Sequence, residues 1–124
     1  MEKGLTYTSV AEVTAANTAI ALGSGDMDVF ATPALVALME NAAMNAVKSA
    51  LPEGSTTVGA MIQTSHIKPS AVGENVKATA VLQEVDGRKL TFSVSAVDSQ
   101  GAVGEGTHIR YVVDRERFLA KLKK

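Results

Sequence analysis

The stretch VFATPALVALMENAAMNAV, residues 29–47, decides the fold of this 124-residue chain. Because Ala, Val, Leu and Met occupy most of its positions, a helix formed here has no broad face suited to water. The helix is predicted to begin with Thr32 as its N-cap and Pro33 at the first helical position. It is predicted to end near Leu51, since Pro52 disfavours a helical residue before it. Such a helix must be covered by the rest of the chain.

The segments around the helix are predicted to form strands that cover it. Residues 5–14 are rich in Thr and Val and are predicted to form an edge strand, whereas residues 15–28 are predicted to be a mobile connection. Four further strands are predicted over residues 57–68, 75–85, 89–98 and 102–113. The sequence DGR at 86–88 indicates a hairpin between two of them. The charged tail that follows is predicted to form a short helix.

Two of these strands alternate in a way that assigns their inner faces. The predicted inner residues are Val76, Ala78, Ala80 and Leu82 in one strand and Leu90, Phe92, Val94 and Ala96 in the next. The order of strand, long helix and four antiparallel strands predicts a single α+β domain over residues 1–124. We expect a curved antiparallel sheet wrapped around one long central helix, the hot-dog fold. The open edges of such a sheet favour a homodimer or a higher oligomer.

Composition excludes several classes of function. The net charge of −1 gives no electrostatic reason to expect binding to nucleic acid or to an anionic membrane. The absence of cysteine excludes disulfides and thiolate catalysis, and with His66 and His108 as the only histidines a zinc site is not expected. The N-terminus lacks an apolar signal-peptide core, and no apolar run approaches ~20 residues. We therefore expect a cytoplasmic protein without a membrane span, a bound metal or a cofactor.

Glu40 is the one acid in the middle of the apolar helix. Its neighbours one and two turns away are Val36, Ala43, Met44 and Val47. We therefore expect the carboxylate to be partly buried, and burial of an unpaired carboxylate costs several kcal/mol. Two interpretations stay open. Glu40 has a chemical use, or its side chain reaches the border of the helix and pairs with Lys48 or with an arginine on a strand.

His66 and Thr32 are the other candidates for chemistry. His66 lies in QTSHIKP, towards the end of a predicted strand and on its helix side, where a lone histidine is either structural or catalytic. Thr32 is either a helix cap or a hydroxyl available to a site. Thr32 and Glu40 are about 12 Å apart along the helix axis, which is too far for a direct hydrogen bond.

Several stretches resemble the fluoroacetyl-CoA thioesterase family within the hot-dog thioesterase superfamily. They are VFATPALVALMENAA, the strand that ends in T-x-H, and GEGTHIRYVV, and the resemblance runs from Val29 to the C-terminus. It implies catalytic roles for Thr32, Glu40 and His66. It also implies substrate contacts for Gly59 and Arg110. The alternatives without the resemblance are a β-bulge at Gly59 and an exposed strand charge at Arg110. His108 is interpreted as a structural residue.

The resemblance implies an acyl-CoA thioesterase that hydrolyses a small acyl-CoA thioester, with coenzyme A as part of the substrate. Glu40 would act as nucleophile or as base for a water, Thr32 would position the reacting group, and His66 would protonate or polarise. Two departures concern specificity. Phe30 is the only aromatic residue in the segment before the helix, and it is a candidate for substrate binding. Asn41 stands where the fluoroacetyl enzyme has an aromatic residue. The alternative is a non-catalytic acyl-CoA or acyl-carrier binding protein of the same fold.

Overall fold

The computed structural model describes residues 1–123. Five strands are present: β1 (Thr6–Glu12), β2 (Ser55–His66), β3 (Asn75–Asp86), β4 (Lys89–Asp98) and β5 (Gly101–Asp114). The helices are α1 (Ala19–Leu22), α2 (Thr32–Val47) and α3 (Arg115–Ala120), and a 3₁₀ turn at Lys48–Ala50 follows α2. The predicted hot-dog fold is confirmed, because the strands form one curved antiparallel sheet around the single long helix.

The order of the strands in the sheet is β1-β3-β4-β5-β2, and every neighbouring pair is antiparallel. The two strands nearest to α2 in the sequence, β1 before it and β2 after it, are therefore the two edges. The prediction that the first strand is an edge strand is confirmed. β2 pairs with β5 on one side only, so its other side presents unpaired backbone groups.

The core lies between α2 and the inner face of the sheet. All eight residues predicted to face inward from β3 and β4 are buried. From α2, the buried side chains are Leu35, Met39, Ala42, Ala43, Ala46 and Val47. Each fully buried Leu, Met or Phe in this layer contributes about 1.5–3 kcal/mol relative to an exposed side chain. This burial fixes which side of α2 remains available for a site.

The start of α2 differs from the prediction. Ala31 is the N-cap and makes no side-chain cap, while Thr32 is the first helical residue and Pro33 the second. The prediction that Thr32 caps the helix is wrong. Pro33 is equally acceptable one position further in, since its nitrogen still has no intrahelical partner there. The shift turns the hydroxyl of Thr32 away from the helix end and leaves it free for another contact.

The connection before α2 contains a short helix that the sequence did not predict. Thr18 caps α1 by accepting a hydrogen bond from the backbone N–H of Ala21, and Gly23 ends the helix in the left-handed conformation. A four-residue helix is too short to show a hydrophobic period. An isolated bridge pairs Thr18 with Phe30, which fixes this segment beside the start of α2.

Candidate active site

A β-bulge in β2 determines which side chains face α2. The pairing between β2 and β5 shifts register between Gly59 and Met61. Before the bulge, the Cα–Cβ direction of Gly59 points at Glu40 on α2. After it, Thr64 contacts the sulfur of Met39 and His66 contacts Thr32. Odd-numbered and even-numbered residues of one strand thus face the same helix, because the bulge inserts one residue.

Thr32 and His66 form a pair at one end of β2. Thr32 Oγ1 and His66 Nδ1 are 2.7 Å apart, the distance of a short hydrogen bond. The other ring nitrogen, Nε2, is buried and has no hydrogen-bond partner within residues 1–123. Burial lowers the pKa of His66; the backbone of Lys68 raises it by a smaller amount, and the positive charge of Lys68 lowers it. A neutral imidazole at this position can accept the proton of the Thr32 hydroxyl.

The segment after His66 is held by a buried carboxylate. Asp98 accepts hydrogen bonds from Lys68 Nζ at 2.6 Å and from Ser70 Oγ at 2.7 Å, and its side chain is fully buried. The backbone N–H of Ile67 also donates to the carbonyl of Val103 at 2.7 Å. The chain on both sides of the imidazole is therefore anchored to the sheet. No local pattern in the sequence indicates this anchor, because its residues come from separate strands and turns.

Glu40 lies at the other end of β2, beside Gly59 and Arg110. Glu40 Oε2 is 4.0 Å from Arg110 Nη1, and the Glu40 side chain is 40% exposed. A Cβ on Gly59 would lie 2.7 Å from the same carboxylate oxygen. The absence of a Cβ on Gly59 therefore allows the close approach of the carboxylate. The predicted proximity of Glu40 to a strand arginine agrees with the structure, and a chemical use of Glu40 stays a prediction.

Arg110 is buried, with only 6% of its surface exposed. Its Nε donates to Thr57 Oγ1 at 2.8 Å, and its Nη2 donates to the carbonyl oxygen of Thr57 at 3.0 Å. The interpretation of Arg110 as an exposed strand charge is wrong. Burial lowers the pKa of Arg110 and the charge of Glu40 raises it, yet a guanidinium stays protonated at neutral pH. Sequence reasoning missed Thr57, whose only signal was its place on the strand two residues before Gly59.

The candidate residues thus form two groups in one chain. Thr32 and His66 are one group, and Glu40, Gly59 and Arg110 are the other. Since Thr32 and Glu40 are eight residues apart on α2, the two groups are separated by about 12 Å along the helix. No hydrogen bond or ion pair within residues 1–123 joins them.

Phe30 has a different environment from the other candidates. Its side chain is buried in the core, at 2% exposure, and its backbone N–H donates to the carbonyl of Ser70 at 2.9 Å. Its ring borders the groove between β1 and the start of α2. Within residues 1–123, no cluster of three or more acidic or histidine side chains has the arrangement of a metal site. In the same part of the chain, no helix combines the length and hydropathy needed to cross a membrane.

Solved structures with this fold identify the class of protein. The structure matches a variant of the fluoroacetyl-CoA-specific thioesterase FlK in complex with fluoroacetate and CoA, with a TM-score of 0.88 and 34% identity over 95% of this chain and 99% of that chain. A thioesterase superfamily member from Thermus thermophilus has a TM-score of 0.91 over 98% of this chain and 90% of that chain, but at 21% identity it bears on the fold alone. The protein is a hot-dog thioesterase, and hence a thioester hydrolase.

The family follows from the sequence of most of the chain. The family model described as fluoroacetyl-CoA-specific thioesterase matches residues 13–116. The fluoroacetyl-CoA thioesterase of Streptantibioticus cattleyicolor is 40% identical over 96 residues, which cover 77% of this chain and 69% of that protein. The chain belongs to the fluoroacetyl-CoA-specific thioesterase family.

Proposed function

We propose that this protein hydrolyses small acyl-CoA thioesters with a site made of Thr32, Glu40 and His66. The observation that carries the proposal is the 2.7 Å hydrogen bond between Thr32 Oγ1 and His66 Nδ1, two residues 34 positions apart in the chain. Glu40 lies two turns further along α2 and also faces β2, at Gly59. Membership of a thioesterase family supports a CoA thioester as the substrate.

In the proposed reaction the Glu40 carboxylate acts on the thioester carbonyl carbon, by direct attack or by taking a proton from an attacking water. In the direct route Glu40 forms a mixed anhydride with the acyl group as the carbon–sulfur bond breaks, and water then hydrolyses the anhydride to free Glu40 and a carboxylic acid. In the water route the attacking water supplies the second oxygen of the acid as the carbon–sulfur bond breaks. In both routes the CoA thiolate takes up a proton. Thr32 and His66 supply a hydrogen-bonded hydroxyl that orients the reacting group. After a single turnover in ¹⁸O-water, label in the Glu40 carboxylate would establish direct attack, because only water that adds to the glutamyl carbonyl of a mixed anhydride places oxygen there.

We propose further that the complete site is formed between two copies of the chain. Thr32 contacts His66, and Glu40 lies beside Gly59, so α2 and β2 run in opposite directions past each other. The midpoints of these two spans are Val36 on the helix and residues 62–63 on the strand. A two-fold axis passing both midpoints would pair the free edge of β2 with its copy. It would also bring Glu40 and Gly59 opposite the partner's Thr32 and His66.

A groove beside Glu40 suits the CoA part of the substrate. It has a volume of about 410 Å³ and is bordered by Met44, Lys48, Thr57 and Arg115, among others. Met44 follows Glu40 by one helical turn, and Thr57 is the partner of Arg110. The groove is lined by two cations, Lys48 and Arg115, and one acid, Glu53, and the cations can pair with phosphate groups.

Release of free thiol from a series of acyl-CoAs tests the activity. We expect turnover of acetyl-CoA and other small acyl-CoAs, and loss of most of it in Glu40→Gln. Because Asn41 and the segment before α2 lack the aromatic residues of the fluoroacetyl enzyme, we expect acetyl-CoA and fluoroacetyl-CoA to be hydrolysed at similar rates. Binding of acyl-CoA without thiol release would instead support a non-catalytic binding protein.

Mixed dimers test the shared site. Thr32→Ala and Glu40→Gln chains are refolded separately and then together. A site shared between chains leaves one intact site in each mixed dimer, so the mixture should recover about a quarter of the wild-type activity. A site contained in one chain recovers none, because every chain in the mixture carries a defect. Sedimentation as a monomer at micromolar concentration would also contradict the shared site.

A further inference from the structure

His108 is the second histidine of the chain, and neither Glu40, Thr32 nor His66 contacts it through a hydrogen bond. Its side chain is almost completely buried, at 1% exposure. His108 Nδ1 is 2.7 Å from the carbonyl oxygen of Met61, and its Nε2 is 3.2 Å from Arg110 Nη1. The imidazole thus lies between the bulge of β2 and the guanidinium that faces Glu40.

These two contacts determine the protonation of His108. A carbonyl oxygen only accepts hydrogen bonds, so Nδ1 must carry a proton towards Met61. A guanidinium only donates, so Nε2 must present its lone pair to Arg110. The imidazole is therefore neutral, in the form protonated at Nδ1. A second proton, on Nε2, would point at the N–H of Arg110 across 3.2 Å and break the contact.

The groups that surround the ring mostly favour the neutral form. Burial lowers the pKa of His108 and the positive charge of Arg110 on β5 lowers it further, whereas the bond to Met61 on β2 and the charge of Glu40 on α2 raise it. The sum is a lowered pKa. From β4 the ring meets only Phe92, whose centroid is 6.2 Å away at an interplanar angle of 30°.

The contacts of Arg110 come from two sides. Thr57 holds Nε and Nη2, which lie on one edge of the planar group. His108 holds Nη1, the nitrogen that is 4.0 Å from Glu40 Oε2. Three contacts on three nitrogens fix both the place and the plane of a guanidinium. Without the contact to His108, Nη1 would be left with a buried N–H and Glu40 as its nearest acceptor.

We propose that His108 is a positioning residue for the hydrolysis proposed above: it holds Arg110 Nη1 at a distance from Glu40, so that the carboxylate stays free to react. This inference deepens the proposed function and depends on it for its kinetic consequence. If the contact is lost, the guanidinium turns and closes to a direct ion pair with Glu40. A carboxylate in such a pair is a weaker base and nucleophile, and a group misplaced by about 1 Å can cost about 10²-fold in rate.

Two substitutions separate positioning from packing. In His108→Gln the side-chain oxygen takes the place of Nε2 and can accept from Arg110. In His108→Asn the amide takes the place of Nδ1, so it can donate to Met61 but cannot reach Arg110. Thr107→Ala is the matched control, since Thr107 is the exposed neighbour on the opposite face of β5. Thiol release and urea unfolding are measured for all three variants.

We expect kcat of His108→Asn to fall by about 10- to 100-fold with a smaller change in KM. His108→Gln should stay within a few-fold of wild type, and Thr107→Ala should match it. Equal losses in His108→Asn and His108→Gln, with both folded, would show that His108 only fills space and would overturn the proposal. Wild-type kcat in His108→Asn would overturn it too.

Nitrogen NMR of the wild-type imidazoles tests the arrangement without reference to activity. We expect His108 to stay neutral and protonated at Nδ1 from pH 8 down to below pH 6.5, which is the ordinary pKa of a histidine. Protonation at Nε2 in that range would overturn the proposal even if both variants fail to fold. A wild-type protein that hydrolyses no acyl-CoA but shows the Nδ1 form would refute the proposed function and leave the His108–Arg110 arrangement standing.

Discussion

Replacement of Gly59 by alanine tests how closely the position of the Glu40 carboxylate controls the reaction. The new Cβ would lie 2.7 Å from Glu40 Oε2, whereas ordinary contacts begin at 3.4 Å. The carboxylate must therefore move by about 0.7 Å or more, which approaches the 1 Å misplacement that can cost about 10²-fold in rate. The contacts with Arg110 Nη1 and His108 Cε1, both at 3.4 Å, are acceptable as they stand. We expect kcat/KM of Gly59→Ala to fall by about 10²-fold.

The fold should tolerate the same change. Glu40 Oε2 is the end of a flexible side chain that is 40% exposed, so the side chain can turn towards water. The backbone of Gly59 does not have a positive φ, and alanine in a compatible conformation gains about 0.4–1 kcal/mol by restricting the unfolded chain. We expect the free energy of unfolding of Gly59→Ala, measured in urea, to stay within about 1 kcal/mol of wild type.

Gly106→Ala is the matched contrast to Gly59→Ala. A Cβ on Gly106 would collide with the carbonyl oxygen of Gln63 and lie 2.7 Å from the Cα of Thr64, and both are backbone atoms of the neighbouring strand. Backbone cannot turn aside, so this variant should lose about 1–3 kcal/mol or more of stability. Wild-type kcat/KM in Gly59→Ala, or a loss of stability as large as that of Gly106→Ala, would refute the reasoning about the carboxylate.

Three further predictions concern the other end of β2. Thr32→Ala should lower the free energy of unfolding in urea by less than the roughly 1 kcal/mol of a lost N-cap, yet it should strongly reduce thiol release. Thr32→Ser should keep most of the activity. A large loss of stability in Thr32→Ala would indicate that Thr32 caps the helix after all. Burial and, to a smaller extent, the charge of Lys68 lower the pKa of His66. We therefore expect kcat/KM to stay level from pH 8 to pH 6.5 and to decline only below pH 6.5. A decline with its midpoint above pH 6.5 would contradict a buried neutral imidazole. Burial raises the pKa of Asp98, but the hydrogen bonds from Lys68 and Ser70 outweigh burial and lower the pKa below 3.8. The ionised carboxylate therefore stabilises the fold above pH ~4, and this contribution is lost as the pH falls through the lowered pKa. The Tm of Asp98→Asn should therefore lie below wild type at pH 7, and the difference should shrink below pH 3.8; a constant difference would contradict the ion pair.

Most of the fold was predictable because its elements are long and periodic. The apolar run of residues 29–47 needs a sheet to cover it. The alternation of apolar and polar residues around Val76 and Phe92 predicts which face of the sheet points towards the core. The helix bounds were predicted less well than its existence. Thr32 and Pro33 satisfy the rules for a helix start in either of two registers, and the sequence does not distinguish them. The structure adopts the register that leaves the Thr32 hydroxyl for His66.

The candidate site was predictable as residue types and not as an arrangement. Glu40 was conspicuous because an acid in an apolar helix needs an explanation, and the resemblance to a family supplied its partners. Thr57 and the Lys68–Asp98 pair were missed because their contacts join strands far apart in the chain, which local patterns do not report. Arg110 was assigned two alternatives of similar weight, because a charge on a strand is usually exposed.

The bulge at Gly59 connects these observations physically. In a regular strand Gly59 and His66 would face opposite sides, and a carboxylate on α2 could meet only one of them. The inserted residue turns both towards α2, so one helix and one strand carry the two groups of the proposed site at separate positions along their length. Within one chain the two groups stay about 12 Å apart along the helix. A second chain related by a two-fold axis would run its β2 in the opposite direction, which would place its Thr32–His66 group opposite Glu40 of the first chain. The spacing that argues against a triad in one chain is thus the spacing that a shared site requires.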